Sequence, residues 1–149
     1  MIEQVLVVCR GNICRSPVAA AMLKQLCPGK RVESAGLGAL VGQGFDPVAR
    51  RLAEAEGLDV TGHMARQLSH EMLQQADLVL VMSHGQRLAV GELSPAALGK
   101  TMLFGHWLED NLAEIPDPYR KSEEAFQHVH QQLRHAANAW ASKLEQEWK

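Results

Sequence analysis

The chain has 149 residues, enough for one domain with a core of its own, and its 46% hydrophobic and 21% charged residues are ordinary for a globular protein. A formal net charge of −2 argues against a nucleic-acid partner, which wants a basic surface, and no apolar stretch approaches the roughly 20 residues of a membrane span. Three cysteines, an odd number, do not make the disulfide framework of a secreted domain; with no leader visible in Met1-Ile2-Glu3-Gln4, the cytoplasm is the expected location.

Strands and helices alternate along the chain. Val5 to Val8 is a continuous apolar run, the mark of a strand covered on both faces of a parallel sheet. A helix opens at Ser16-Pro17, carries Val18, Ala19, Met22, Leu23 and Leu26 at helical spacing, and stops at Pro28-Gly29. Arg31 to Ala35 reads as a second strand, followed by the glycine-rich stretch 36–44. Asp46-Pro47 is an N-cap and first-turn pair, and Gly57 a stop, for a helix over 47–56. Ser69 caps a short helix before Asp77, and Leu78 to Met82 is the second strongly buried strand. A weaker helix over 85–91 and a last strand, Thr101 to Phe104, precede a loop over 105–121. Ser122-Glu123-Glu124 then opens a long helix whose Phe126, Val129, Leu133, Ala136, Trp140 and Leu144 form one apolar face. This pattern predicts a single three-layer α/β domain, with about four mostly parallel strands and helices on both faces.

The chemistry concentrates in Cys9-Arg10-Gly11-Asn12-Ile13-Cys14-Arg15-Ser16-Pro17, where a thiol ends the first strand and a short loop leads into the first helix. In open α/β sheets the binding crevice lies beyond the carboxyl ends of the strands. Amides of residues 10 to 15 turned inward make a nest for phosphate oxygens, Gly11 relaxes the turn, and the helix start adds positive potential. Arg15 supplies a planar fork that matches two phosphate oxygens. Such surroundings favour the thiolate, so Cys9 is expected in that form at neutral pH, with the Ser16 hydroxyl donating to the sulfur. Expelling a tyrosine phenolate, with a conjugate acid near pKa 10, also needs a proton. Asp117, between Pro116 and Pro118 with Tyr119 beside it, offers one on a stiffened loop.

The loop 9–16 together with Asp117-Pro118-Tyr119 resembles the low-molecular-weight protein tyrosine phosphatases. The resemblance extends through Glu33-Ser34-Ala35-Gly36 and Gly62-His63-Met64-Ala65-Arg66-Gln67, and covers nearly the whole chain. Residues 37–44 and Leu103-Phe104-Gly105-His106-Trp107 are most similar to the bacterial branch associated with capsule or exopolysaccharide export. The resemblance implies Cys9 as nucleophile, Arg15 as phosphoryl binder, and Asp117 as acid and then base. It implies Asn12, Ser16, Ser34 and His63 as a supporting network, Tyr119 as pocket wall, and Cys14 as a partner that shields Cys9 from overoxidation. Leu40 stands where other branches carry a substrate-stacking aromatic, and Ser83 where relatives often carry an acidic residue. The substrate so implied is a phosphotyrosine protein, a membrane tyrosine autokinase in this branch. No cofactor, metal, nucleic acid or membrane insertion is implied, and a monomer is expected.

Several residues carry blander readings. Cys9 and Cys14 lack the further thiols of a zinc site, and Cys27 reads as a buried or half-exposed helix-end residue. His128, His130 and His135 read as solvated, Trp140 as packing and Trp148 as a frayed end. Trp107 either borders the site or anchors a loop, and Arg10 either meets an acidic substrate flank or is simply solvated. Among rivals, arsenate reductases of this fold use a later cysteine pair, and no cysteine follows Cys27. Phosphoarginine phosphatases tend to carry Thr where Ile13 stands. A silent phosphopeptide-binding module has no need of Cys9, Arg15 and Asp117 together.

Overall fold

The computed structural model describes residues 1–146; Trp148 lies outside the described residues. Strands β1 (Gln4–Cys9), β2 (Arg31–Gly36), β3 (Leu78–Val81) and β4 (Thr101–Leu103) form one sheet in the order β2-β1-β3-β4, and every pairing is parallel. Helices α1 (Arg15–Leu26), α2 (Pro47–Ala55), α3 (His70–Gln75), α4 (His84–Leu93) and α5 (Glu123–Glu145) cover its two faces. Alternation along β1 divides the core. Val5, Val7 and Cys9 join the α1 and α5 side chains Met22, Leu23, Phe126, Leu133 and Trp140 on one face. Leu6 and Val8 join Leu73 and Val90 of α3 and α4 on the other. Among the described residues no helix is long and apolar enough to cross a membrane.

The caps explain most helix starts. Asp46 Oδ1 accepts from the amides of Val48 and Ala49 at 2.9 and 3.3 Å, and Ser69, Ser83 and Ser122 each accept from the amide three residues on. The first helix differs: Cys14 is its N-cap and makes no side-chain cap bond. The helix therefore opens at Arg15, one residue before the expected start, and Pro17 occupies the first turn, where a missing N–H costs nothing. Helix α4 is longer than 85–91, and a short 3-10 turn at Asp110–Leu112 interrupts the loop expected over 105–121.

One histidine reading changes, and the alternatives for Trp107 are decided. His130 is buried rather than solvated, because α5 turns its ring toward α2, where Nε2 lies 3.0 Å from Glu56 Oε2. His128 and His135 are exposed. Trp107 anchors its loop, with its ring edge-on to the fully buried Trp140 at 5.5 Å and Lys143 over its face at 4.6 Å. Cys27 caps the end of α1, half-buried as expected.

Topology sets the site. The chain leaves β1 toward β2 on one side while β3 pairs on the other, so a crevice opens at the carboxyl end of β1. Gly36 lies opposite Cys9 in the register, and a Cβ there would meet the Arg10 carbonyl oxygen at 2.6 Å. Only glycine lets β2 run this close to the loop.

Candidate active site

Between Cys9 and α1 the loop turns on Asn12, whose φ of 60° is left-handed. This corrects the expectation for Gly11: a Cβ at Gly11 would meet only Ile13 and Leu40, at 3.8 and 3.9 Å, in ordinary contact. Asparagine tolerates that conformation when its side chain bonds locally, and here it is completely buried and fully used. Its Nδ2 donates to Ser16 Oγ at 2.8 Å and Ser34 Oγ at 2.9 Å, and its Oδ1 accepts from the Arg66 amide at 3.0 Å. Its carbonyl lies 2.8 Å from His63 Nε2. A carbonyl only accepts, so the His63 proton is on Nε2. Burial lowers the His63 pKa, opposed in part by that hydrogen bond.

Five successive carbonyls, Cys9 to Ile13, accept hydrogen bonds from outside the loop. The donors are the amides of Leu37, Gly38, Leu40 and Asp46, at 2.9, 2.9, 3.0 and 2.9 Å, together with His63. Among the described residues no peptide bond is cis, so each N–H points opposite to the preceding C=O. The amides of Arg10 to Cys14 are thereby turned to the inner side.

The hydrogen-bond direction at the sulfur follows by elimination. The Arg66 amide can only donate, which fixes the orientation of the Asn12 side chain and makes Ser16 Oγ an acceptor. The single Ser16 proton is left for Cys9 Sγ at 3.0 Å, the Ala35 carbonyl lying farther away at 3.5 Å. The Ser16 amide also donates to the sulfur, at 3.4 Å. Cys9 Sγ thus receives two hydrogen-bond donors from Ser16. Cys14 differs: burial above all, then Asp46 and Cys9, push its thiol well above the ordinary range.

Arg15 is only 5% exposed. Its Nη1 donates to the Ile115 carbonyl at 2.7 Å and its Nη2 lies 3.6 Å from Asp117 Oδ2. The Tyr119 amide donates to Asp117 Oδ1 at 3.0 Å, so one carboxylate oxygen is held by the loop and the other faces Arg15. Cys9, Arg10, Gly11, Ile13, Cys14, Arg15, Leu40, Asp117 and Tyr119 line one cleft of about 110 Å³. Asn12, Ser16, Ser34 and His63 lie behind it as its scaffold. Arg10 is exposed at the mouth, while Ser83 caps α4 and borders a groove beyond Asp117.

Sequence reasoning missed two residues here. Arg66 holds the loop through its backbone amide and donates from Nε to the Ser34 carbonyl at 2.9 Å, and no residue pattern marks a backbone donor. Gln67 grips the 37–44 segment at both ends of its amide, accepting from the Ala39 amide at 2.9 Å and donating to the Leu37 carbonyl at 2.7 Å.

Residues 4–149 match the family model described as low molecular weight phosphotyrosine protein phosphatase. The chain is 50% identical over 149 residues to the low molecular weight protein-tyrosine-phosphatase Wzb of Escherichia coli strain K12, covering 99% of each chain. It superimposes on the tyrosine phosphatase Wzb from Escherichia coli K30, solved in complex with sulphate, with a TM-score of 0.93, 47% identity and coverage of 97% of this chain and 99% of that one. The YwlE arginine phosphatase from Geobacillus stearothermophilus is more distant in sequence, with a TM-score of 0.90 at 32% identity and coverage of 97% and 94%. A phosphate-sized cradle closed around a doubly hydrogen-bonded sulfur is thus met in a chain that belongs to the low molecular weight phosphotyrosine protein phosphatase family.

Proposed function

We infer that this chain hydrolyses phosphotyrosine in proteins through a phosphocysteine intermediate. The observation that carries the reading is the Cys9 sulfur, given two hydrogen bonds by Ser16 in a cleft shared with Arg15 and Asp117. The sulfur attacks phosphorus in line with the leaving oxygen. The inward amides and the Arg15 guanidinium hold the equatorial oxygens as charge spreads over them. The S–P bond forms as the P–O bond breaks, and Asp117 hands its proton to the departing phenolate oxygen. Water then attacks the phosphocysteine while Asp117 takes a proton from it. The S–P bond breaks, inorganic phosphate leaves, and the thiolate returns to the Ser16 hydroxyl. Leu40 and Tyr119 form the lips between which a phenyl ring fits, and Gly11 leaves that mouth open.

The natural substrate fitting this reading is a membrane tyrosine autokinase of polysaccharide export, met by a monomer in the cytoplasm. The branch resemblance of residues 37–44 and Leu103-Phe104-Gly105-His106-Trp107 supports the substrate. The similarity to YwlE keeps phosphoarginine as a second substrate class, and Ile13 in the phosphate loop weighs against it. Phosphate release from matched phosphotyrosine and phosphoarginine peptides separates the two: the tyrosine peptide is expected to react faster by orders of magnitude, and the reverse order would overturn the assignment. Substrate capture on Cys9→Ser from native-host lysate, with a tyrosine kinase identified by mass spectrometry, tests the partner.

A further inference from the structure

The acid loop has an anchor on α5 that the chemistry above does not use. Gln132 belongs to the apolar face that packs toward the sheet, between Val129, Leu133 and Ala136, and is only 6% exposed. Burying an amide without hydrogen-bond partners is costly. Here its Nε2 donates twice, to the Leu112 carbonyl at 2.6 Å and to the Glu114 carbonyl at 3.0 Å. These carbonyls lie immediately upstream of Ile115-Pro116-Asp117. The same segment is pinned by the Ile115 amide on the Met82 carbonyl at 2.8 Å, and by Glu114 Oε2, which accepts from the His84 amide at 2.8 Å.

A further tie is Arg15 Nη1 on the Ile115 carbonyl, and Arg15 also serves the phosphoryl group. A guanidinium that must follow substrate oxygens is an anchor that varies through the cycle. Gln132, which is not among the cleft-lining residues, holds the base of the loop whatever Arg15 is doing. Beyond Ile115 the chain has little freedom, since Pro116 and Pro118 fix their own φ and Asp117 Oδ1 is bonded to the Tyr119 amide. A shift at residues 112–114 is therefore passed to the carboxyl group rather than absorbed. A misplacement of about 1 Å is enough to cost on the order of a hundredfold in a positioned reaction.

We propose that Gln132 is a positioning residue for proton transfer by Asp117, acting through the Leu112 and Glu114 carbonyls. The proposal rests on the phosphatase reading above. It predicts a defect confined to reactions that need the proton. Gln132→Met keeps the size and removes both donors; Gln132→Glu keeps the shape and opposes the two carbonyls with acceptor oxygens.

The test is kcat/KM over a series of aryl phosphates from activated to poor leaving groups, with inhibition by inorganic phosphate and alkylation of Cys9 as controls. For both variants the activated substrates are expected within about threefold of wild type and phenyl phosphate lowered about tenfold or more, steepening the leaving-group dependence, with both controls unchanged. Loss that is uniform across the series, or a slope equal to wild type, overturns the positioning role while leaving the phosphatase reading intact. Failure of both variants to fold overturns it too, since the amide then holds more than the loop. A wild-type protein that turns over none of the series removes the phosphatase reading and this role together.

Discussion

Asn12→Ala removes the side chain on which the phosphate loop turns, and its cost can be worked from the structure. The Arg66 amide loses its acceptor and Ser16 and Ser34 lose their donor. A buried donor left unsatisfied costs about 1–3 kcal/mol. Alanine must also hold the φ of 60° without a local side-chain bond, at about 1–2 kcal/mol. The sum is about 3 kcal/mol, and at roughly 2–4 °C per kcal/mol for a chain of this size the melting temperature should fall by about 6–12 °C. Asn12→Gly loses the same hydrogen bonds but not the conformational preference, so it should recover about 1 kcal/mol relative to alanine. Urea and thermal unfolding of the three proteins give the ranking Asn, then Gly, then Ala. Both variants should also slow turnover, since the Ser16 hydroxyl is no longer forced toward the sulfur. An alanine variant within about 1 kcal/mol of wild type, or a glycine variant less stable than it, would refute the reasoning.

The other expectations follow from single contacts. Asp117→Asn should lower kcat/KM more for poor leaving groups than for activated aryl phosphates, and an equal loss across the series would deny Asp117 the acid role. Mild peroxide should give a Cys9–Cys14 disulfide that thiols reverse, because both sulfurs belong to residues lining the same cleft; peptide mapping that finds only sulfonic acid on Cys9 would exclude the pairing. Hydrogen bonds from the Gln4 and Glu3 amides, both at 2.9 Å, hold the Asp77 carboxyl below its usual range. A depressed carboxylate stabilises the fold above its unfolded value, near pH 3.9, and that contribution disappears as pH falls through the folded value. Asp77→Asn should therefore be less stable than wild type at pH 7, by less than about 1 kcal/mol for so exposed a group, with the gap closing in acid. A gap unchanged at pH 2 in urea titrations would contradict this.

The sheet was legible because Val5 to Val8 and Leu78 to Val81 are unbroken apolar runs, which only a strand covered on both faces explains in so few residues. Asp46, Ser69 and Ser122 announced their helices by local chemistry that needs no tertiary context. Cys9, Arg15 and Asp117 were legible as types, but resemblance rather than spacing brought Asp117 to the loop. What stayed hidden depends on partners distant in the chain. Beside Gly11, nothing local marks Asn12 as the left-handed residue; the contacts that make it so come from Ser34, His63 and Arg66. His130 read as solvated because Glu56, which draws it inward, lies on another helix. Nothing in the sequence beside Gln131 marks Gln132 as buried, since its partners are two backbone carbonyls about twenty residues away.

Rapid quenching of the Asp117→Ala protein after mixing with an activated aryl phosphate, whose leaving group departs without a proton, tests the central claim most directly. Slowing the attack of water on the intermediate should let phosphate accumulate on sulfur, seen by phosphorus NMR as a thiophosphate and mapped by mass spectrometry to the peptide containing Cys9. Turnover that proceeds with no phosphate ever on Cys9, or with the label on a histidine instead, would contradict the mechanism at its first bond.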